Sequence, residues 1–310
     1  MILSRKFNIQ HSKCKVAHIP TPDFDGGLET GYARAIEAVV SSLESGVGSP
    51  ESNLVNVLAG SHLTPADAGE LRDIIKSFGM RAIILPDLSA LDGSKQSFSP
   101  LASGGTTLSE LAAMANASVT IGLGMSMEPA AKLLRQKFGI AYRIFDSSAG
   151  LAGSDLLMQT LGKTSGQPLP SRYDRQRKVL VDAMRDAHFY FGGKKICLAL
   201  EPDLAVQTSK WLAEMGAAVE LAMIPTLSDA ADRIQATEVR IGDLHSITGE
   251  YDALISNSHG ENAAKKLGIP LYEMGFPVYK TFGYTSKVTI GYRGTLAMIN
   301  DMANLLMKRH

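Results

Sequence analysis

Cys14 and Cys197 are the only thiols in 310 residues. They lie far apart with no CxxC spacing, which excludes a disulfide framework. Two thiols are also too few for the thiolate set of an iron–sulfur cluster held by this chain alone, and His/Cys spacing for zinc is missing. No sign of charge is in excess: 31 Lys and Arg balance 31 Asp and Glu. Without a basic cluster, phosphate neutralisation has no source, so the sequence argues against a nucleic-acid partner. No apolar run reaches the roughly 18 residues of a membrane span. Nor does an apolar stretch follow the charges of Met1–Lys6, so the start is not a secretory signal. The expectation is a cytoplasmic protein with no membrane partner.

What is present is alternation. Apolar runs at Val16–Ile19, Leu54–Ala59, Ala82–Leu85, Val119–Leu123 and Tyr142–Phe145 predict short strands. Between them lie segments of helical period, such as Leu28, Tyr32, Ile36, Val39 and Leu43, the stripe of a half-buried helix. Thr64-Pro65 supplies an N-cap and an N1 proline. Thr106–Asn116, Glu128–Phe138 and Ser154–Leu161 also read as helix. The stretch from Pro86 to Gly105 reads as a long irregular loop. Strands are predicted again at Ile196–Leu200, Val219–Ile224, Val239–Ile241, Ala253–Ser256 and Leu271–Met274, and a last helix from about Gly294 to Met307. Such alternation implies parallel sheets covered on both faces. The predicted class is α/β: two doubly wound Rossmann-like domains, over 1–170 and 192–310, joined by a charged helix over 171–191.

Three features bear on a site. Gly122-Leu123-Gly124-Met125-Ser126-Met127 follows a strand and opens a helix, but lacks the third glycine of a dinucleotide fingerprint. A tight strand-to-helix turn is the plainer reading. Gly60-Ser61-His62 and Asn257-Ser258-His259 each stand at the carboxyl end of a predicted strand, where open α/β sheets take ligands. The alternative is that both are helix starts with exposed histidines. If the domains face each other, both loops border one cleft, and their helix N-termini would suit an anion. No GxSxG elbow supports the Ser258, His62 and Asp87 triad that can be drawn on paper. Cys197, inside a strand, reads as a buried small hydrophobe, and Cys14 is a weak candidate metal ligand.

Several stretches together resemble the nitrogenase component 1 family: Thr21-Pro22-Asp23-Phe24, Gly60-Ser61-His62-Leu63-Thr64-Pro65, Leu85-Pro86-Asp87-Leu88-Ser89, Glu201-Pro202-Asp203, Gly275-Phe276-Pro277-Val278 and Gly291-Tyr292-Arg293-Gly294. They occur in the family's order. The resemblance implies Rossmann-like domains with the family's first domain absent, since the chain begins twenty positions before Thr21. A fragment, a mis-started frame and a natural short form all fit that start. Leu123 and Gly275 fall where the catalytic α-type subunit carries its cofactor-ligating cysteine and histidine. The resemblance is therefore to a β-type partner.

The function so implied is a scaffold for assembly of the nitrogenase iron-molybdenum cofactor in nitrogen fixation. The implied partners are a NifE-like subunit and the nitrogenase iron protein. The implied cofactor is an iron–sulfur precursor cluster, held by the complex rather than by this chain alone. A catalytic β-type subunit of nitrogenase or of protochlorophyllide reductase is the first alternative. A metal-free Rossmann protein binding a nucleotide or small molecule is the second.

Overall fold

The computed structural model describes residues 17–20, 22, 25–44, 51–90 and 104–308. Four of the strands in those residues, β1 (Glu51–Ala59), β2 (Arg81–Leu85), β3 (Ala117–Leu123) and β4 (Ala141–Phe145), form one all-parallel sheet in the order β2-β1-β3-β4. A second all-parallel sheet has the order β7-β6-β5-β8-β9, from β5 (Lys195–Ala199), β6 (Ala218–Ile224), β7 (Glu238–Ile241), β8 (Ala253–Ser256) and β9 (Leu271–Glu273). Parallel strands need a crossover between each pair, and helices supply it. The chain is α/β, with two doubly wound sheets, as the alternation implies.

Nine helices stand among the described residues: α1 (Leu28–Ser41), α2 (Pro65–Ser77), α3 (Leu108–Ala113), α4 (Glu128–Phe138), α5 (Gly150–Ser165), α6 (Ser171–Phe191), α7 (Pro202–Glu214), α8 (Glu261–Leu267) and α9 (Gly291–Met307). The period-2 pleat sorts the side chains of β1 between two layers. Leu54 and Leu58 pack with Ile36 and Val40 of α1 and Leu134 of α4. Val55 and Val57 face the other way, toward Leu71, Ile74 and Ile75 of α2 and Leu157 and Leu161 of α5. In the second sheet, Ile196 and Leu198 share a core with Trp211 and Leu212 of α7, while Cys197 and Leu254 pack toward Ala263 and Ala264 of α8. Cys197 is thus a core residue, as expected, and burial pushes its thiol up to about 12.

The two sheets share one continuous apolar core, because α9 runs back against α6 and α5. Hydrogen bonds reinforce that return. Asp67, buried at the start of α2, accepts from the N–H of Thr289 at 2.6 Å and from its hydroxyl at 2.7 Å. It also closes the expected cap, accepting from Thr64 N at 2.9 Å while Thr64 Oγ1 accepts from Asp67 N at 3.1 Å.

Three elements differ from expectation. Residues 17–20 carry no strand. They are exposed, and Pro20 has no N–H to place in a ladder. The helix expected over Thr106–Asn116 is shorter, α3 followed by a 3-10 turn over Met114–Asn116. By contrast α5 begins four residues before Ser154. Its first turn is capped from a distance: Leu151 N and Ala152 N donate to the carboxylate of Glu214 at 2.6 and 3.0 Å. Cys14 and most of the Pro86–Gly105 stretch lie outside the described residues.

Candidate functional site

In an open parallel sheet, a crevice opens at the carboxyl ends of the two neighbouring strands whose connections leave in opposite directions. The first sheet has that point between β1 and β3, the second between β5 and β8. The loops there are Gly60–Leu63 and Gly124–Met127 in the first sheet, and Leu200–Glu201 and Asn257–Gly260 in the second.

The crevice of the first sheet is filled by the chain itself. Asp203, from the first turn of α7, places its carboxylate against the Gly124–Ser126 turn. Oδ1 accepts from Met125 N at 2.7 Å and Oδ2 from Ser126 N at 3.1 Å. Gly124 has φ +101°, and a Cβ there would collide with Asp203 Oδ2. The glycine therefore serves both a left-handed backbone and a close approach. The plainer reading of Gly122–Met127 holds: it is a strand-to-helix turn, and its free N–H groups receive an internal anion rather than a dinucleotide.

Asp203 sits in a buried acidic knot. Its own N–H donates to Glu29 Oε2 at 2.9 Å. Burial, with the nearby charges of Asp203 and Glu201, pushes the Glu29 carboxyl up to about 9, so Glu29 is protonated at neutral pH. Glu201 is raised too, mainly by burial, and its Oε2 has no hydrogen-bond partner. His62 lies beside Asp203 and is buried, with Nδ1 unpartnered. Burial lowers its pKa, against the opposing pull of Asp203, and the neutral imidazole is the favoured form.

The crevice of the second sheet is open. A cavity of about 260 Å³ is walled by Ser61 and His62 from the first sheet and by Leu200, Glu201, Asn257 and Gly275 from the second, among others. The remaining wall is mostly apolar, including Leu204, Met223, Met274 and Phe276. Among the described residues, Glu201 and Asp243 are its charged members, and no Lys or Arg lines it. That wall does not favour an anion, contrary to the expectation from helix N-termini alone, and it offers no phosphate loop to a nucleotide.

The structure therefore brings Ser61, His62 and Asn257 to one cavity. Gly60 stands behind them, where a Cβ would collide with the carbonyl oxygen of Leu123. Ser61 Oγ is buried without a partner. Asn257 Nδ2 donates to Phe276 O at 2.9 Å, and its Oδ1 accepts from His259 N at 3.0 Å. Ser258 is buried and turned away: its hydroxyl donates to Glu273 and accepts from Tyr279 N at 2.9 Å. His259 is exposed, and its ring packs against Tyr279 at 6.0 Å rather than lining the cavity. Sequence reasoning missed Glu29, Glu201 and Asp203 as a group. The available signal was Glu201-Pro202-Asp203 directly after a strand, a helix start with two acids and an N1 proline.

Neither Leu123 nor Gly275 has a side chain that can coordinate a metal. Leu123 is buried at the end of β3, and Gly275 lines the cavity with φ +89°. Among the described residues, no group of three or more His, Cys, Asp or Glu side chains is placed to hold a metal ion.

Comparison with known proteins agrees with this architecture. The sequence profile of the family described as nitrogenase component 1 type oxidoreductase matches residues 2–307. The chain belongs to the nitrogenase component 1 family. Within that family it is 40% identical over 308 residues to the nitrogenase iron-molybdenum cofactor biosynthesis protein NifN of Bradyrhizobium diazoefficiens, covering 96% of this chain and 66% of that protein. It is 37% identical to the NifN protein of Rippkaea orientalis, covering 98% of this chain and 71% of the relative. A solved nitrogenase Cp1 structure at pH 6.5 superposes with a TM-score of 0.89 at 27% identity, covering 95% of this chain and 68% of that one. The chain spans about two thirds of the length of these component 1 relatives.

Proposed function

We propose that the chain is the β-like half of a scaffold on which the iron-molybdenum cofactor of nitrogenase is assembled in the cytoplasm. The observation that carries this reading is the match to curated NifN proteins along almost the whole chain, at 35–40% identity. Leu123 and Gly275 support this reading, because by the family resemblance they stand where an α-type subunit carries its cofactor ligands. The precursor cluster is cargo in this reading. It is held by the complex with a NifE-like subunit, which supplies the ligands this chain lacks, and is exchanged with the help of the nitrogenase iron protein.

The cavity at the second sheet's crevice contributes shape and hydrogen-bonding groups. Ser61 Oγ, neutral His62 and Glu201 are positioned to receive polar atoms of a partner loop or small ligand while Leu204, Met223 and Met274 exclude water. In a low-dielectric wall such bonds count for more than at the surface.

The test is anaerobic co-expression of the tagged chain with a NifE-like subunit. A stoichiometric complex carrying a brown iron–sulfur chromophore is expected, with the isolated chain colourless. Failure to form that complex, or stoichiometric iron and sulfide in the isolated chain, contradicts the reading.

A further inference from the structure

A second depression, on the opposite kind of surface, lies between the first turns of α6 and α9. It measures about 640 Å³ and is lined by Arg172, Arg175 and Gln176 of α6 and by Arg293 and Leu296 of α9, with Val179 farther along. Among the described residues, no Asp or Glu lines it. In a chain of zero formal net charge, three guanidiniums around one groove mark a local excess.

The neighbouring charges separate the free arginines from the committed ones. Arg177 forms a two-bond pair with Asp155, at 2.8 Å to each oxygen. Lys178 pairs with Asp174 at 2.7 Å, and Arg293 pairs with the buried Glu70. Arg175 makes no ion pair or hydrogen bond among the described residues, and Arg172 only lies over the ring of its neighbour Tyr173. Gln176 adds a buried Oε1 without a partner. The 21-residue helix α6 begins beside the groove with no side-chain cap from Pro170.

We infer that the α6–α9 groove docks an acidic segment of a partner polypeptide, one that alternates carboxylates with apolar side chains. Charge complementarity selects the carboxylates, which Arg172 and Arg175 can each grip in the bidentate manner of guanidiniums. The apolar side chains would lie on Val179, which is 48% exposed, and on Leu296. A single small oxyanion would fill only a fraction of a groove this size and leave that apolar floor uncovered. The inference is independent of the assembly role proposed above.

The test uses the full chain and a fluorescein-labelled hexapeptide, Glu-Glu-Leu-Glu-Glu-Leu, followed by fluorescence polarisation. Binding is expected, weakening with added salt, and falling at least about tenfold when both Arg172→Ala and Arg175→Ala are introduced. Lys178→Ala, on the same helix but outside the groove, should change binding less than about twofold. Both arginines are exposed and, among the described residues, without an ion-pair partner, so an unchanged urea midpoint should accompany the double substitution. The absence of peptide binding would overturn the inference, as would equal losses in the Lys178 and arginine variants. Displacement of the peptide by an equal concentration of inorganic phosphate would also overturn it, by reducing the groove to a simple anion subsite.

Discussion

Asp203 and Met125 are 78 residues apart in sequence, yet a 2.7 Å bond from the Met125 N–H to the Asp203 carboxylate joins the second sheet's first helix to the turn that ends β3. With Ser126 N at 3.1 Å, the carboxylate satisfies two backbone donors that would otherwise be orphaned at a helix start. Hydrogen bonds to a carboxylate are stronger than those between neutral groups. The contact also decides what the first sheet's crevice does: it fastens the two sheets instead of receiving a ligand.

Replacing Asp203 by alanine should therefore destabilise the chain by about 2–3 kcal/mol, since two half-buried backbone N–H groups lose their carboxylate partner. Asp203→Asn should cost less, because one amide oxygen can still accept. Urea unfolding reports both as lowered midpoints. An unchanged midpoint for Asp203→Ala would show that the contact carries no weight.

Gly124→Ala should destabilise by at least about 2 kcal/mol, combining left-handed backbone strain with a clash against Asp203. The clash part is coupled to the carboxylate. In an Asp203→Ala background the same change should cost visibly less, and a double-mutant cycle by urea unfolding measures the difference. Strict additivity would contradict the close approach.

Glu29 gives a pH signature. Its folded-state carboxyl sits at about 9 against an ordinary 4.5, so between those values the folded state holds a proton that the unfolded state releases. Stability from this group is complete below the ordinary value and is lost as pH rises toward 9. The unfolding midpoint should decline from pH 5 to pH 9, and Glu29→Gln, which cannot ionise, should flatten that decline while costing little at neutral pH. A steeper decline in the glutamine variant would contradict the assignment.

The link through Asp67 should also be visible. Asp67→Ala removes the acceptor for Thr289 N and Oγ1 and for Thr64 N, and should cost about 3 kcal/mol or more. Thr64→Ala, which loses the cap to Asp67 N, should cost only about 1 kcal/mol. Denaturant midpoints of the two variants test that order.

Local chemistry made much of the fold readable. The helix bounds Glu128–Phe138 and Ser171–Phe191 follow from Pro129 near the start and Gly139 past the end of one, and from Pro170 and Gly192 flanking the other. The strand runs were readable because parallel strands covered on both faces are apolar throughout. What escaped was long-range. Nothing near Leu151 announces that Glu214 caps its helix, and nothing near Met125 announces Asp203. The placement of Ser61, His62 and Asn257 at strand ends was legible as a rule of open sheets. That His259 faces away was not. Asn257 Oδ1 takes the His259 N–H and turns the chain so that the ring meets Tyr279.

The most direct test of the proposed role is delivery of a finished cofactor. The purified complex of this chain with a NifE-like subunit, incubated anaerobically with the nitrogenase iron protein, molybdate, homocitrate, ATP and reductant, should restore acetylene reduction to a cofactor-deficient nitrogenase component 1, and show none before that component is added. Acetylene reduction by the complex alone would contradict the account and identify a catalytic subunit instead.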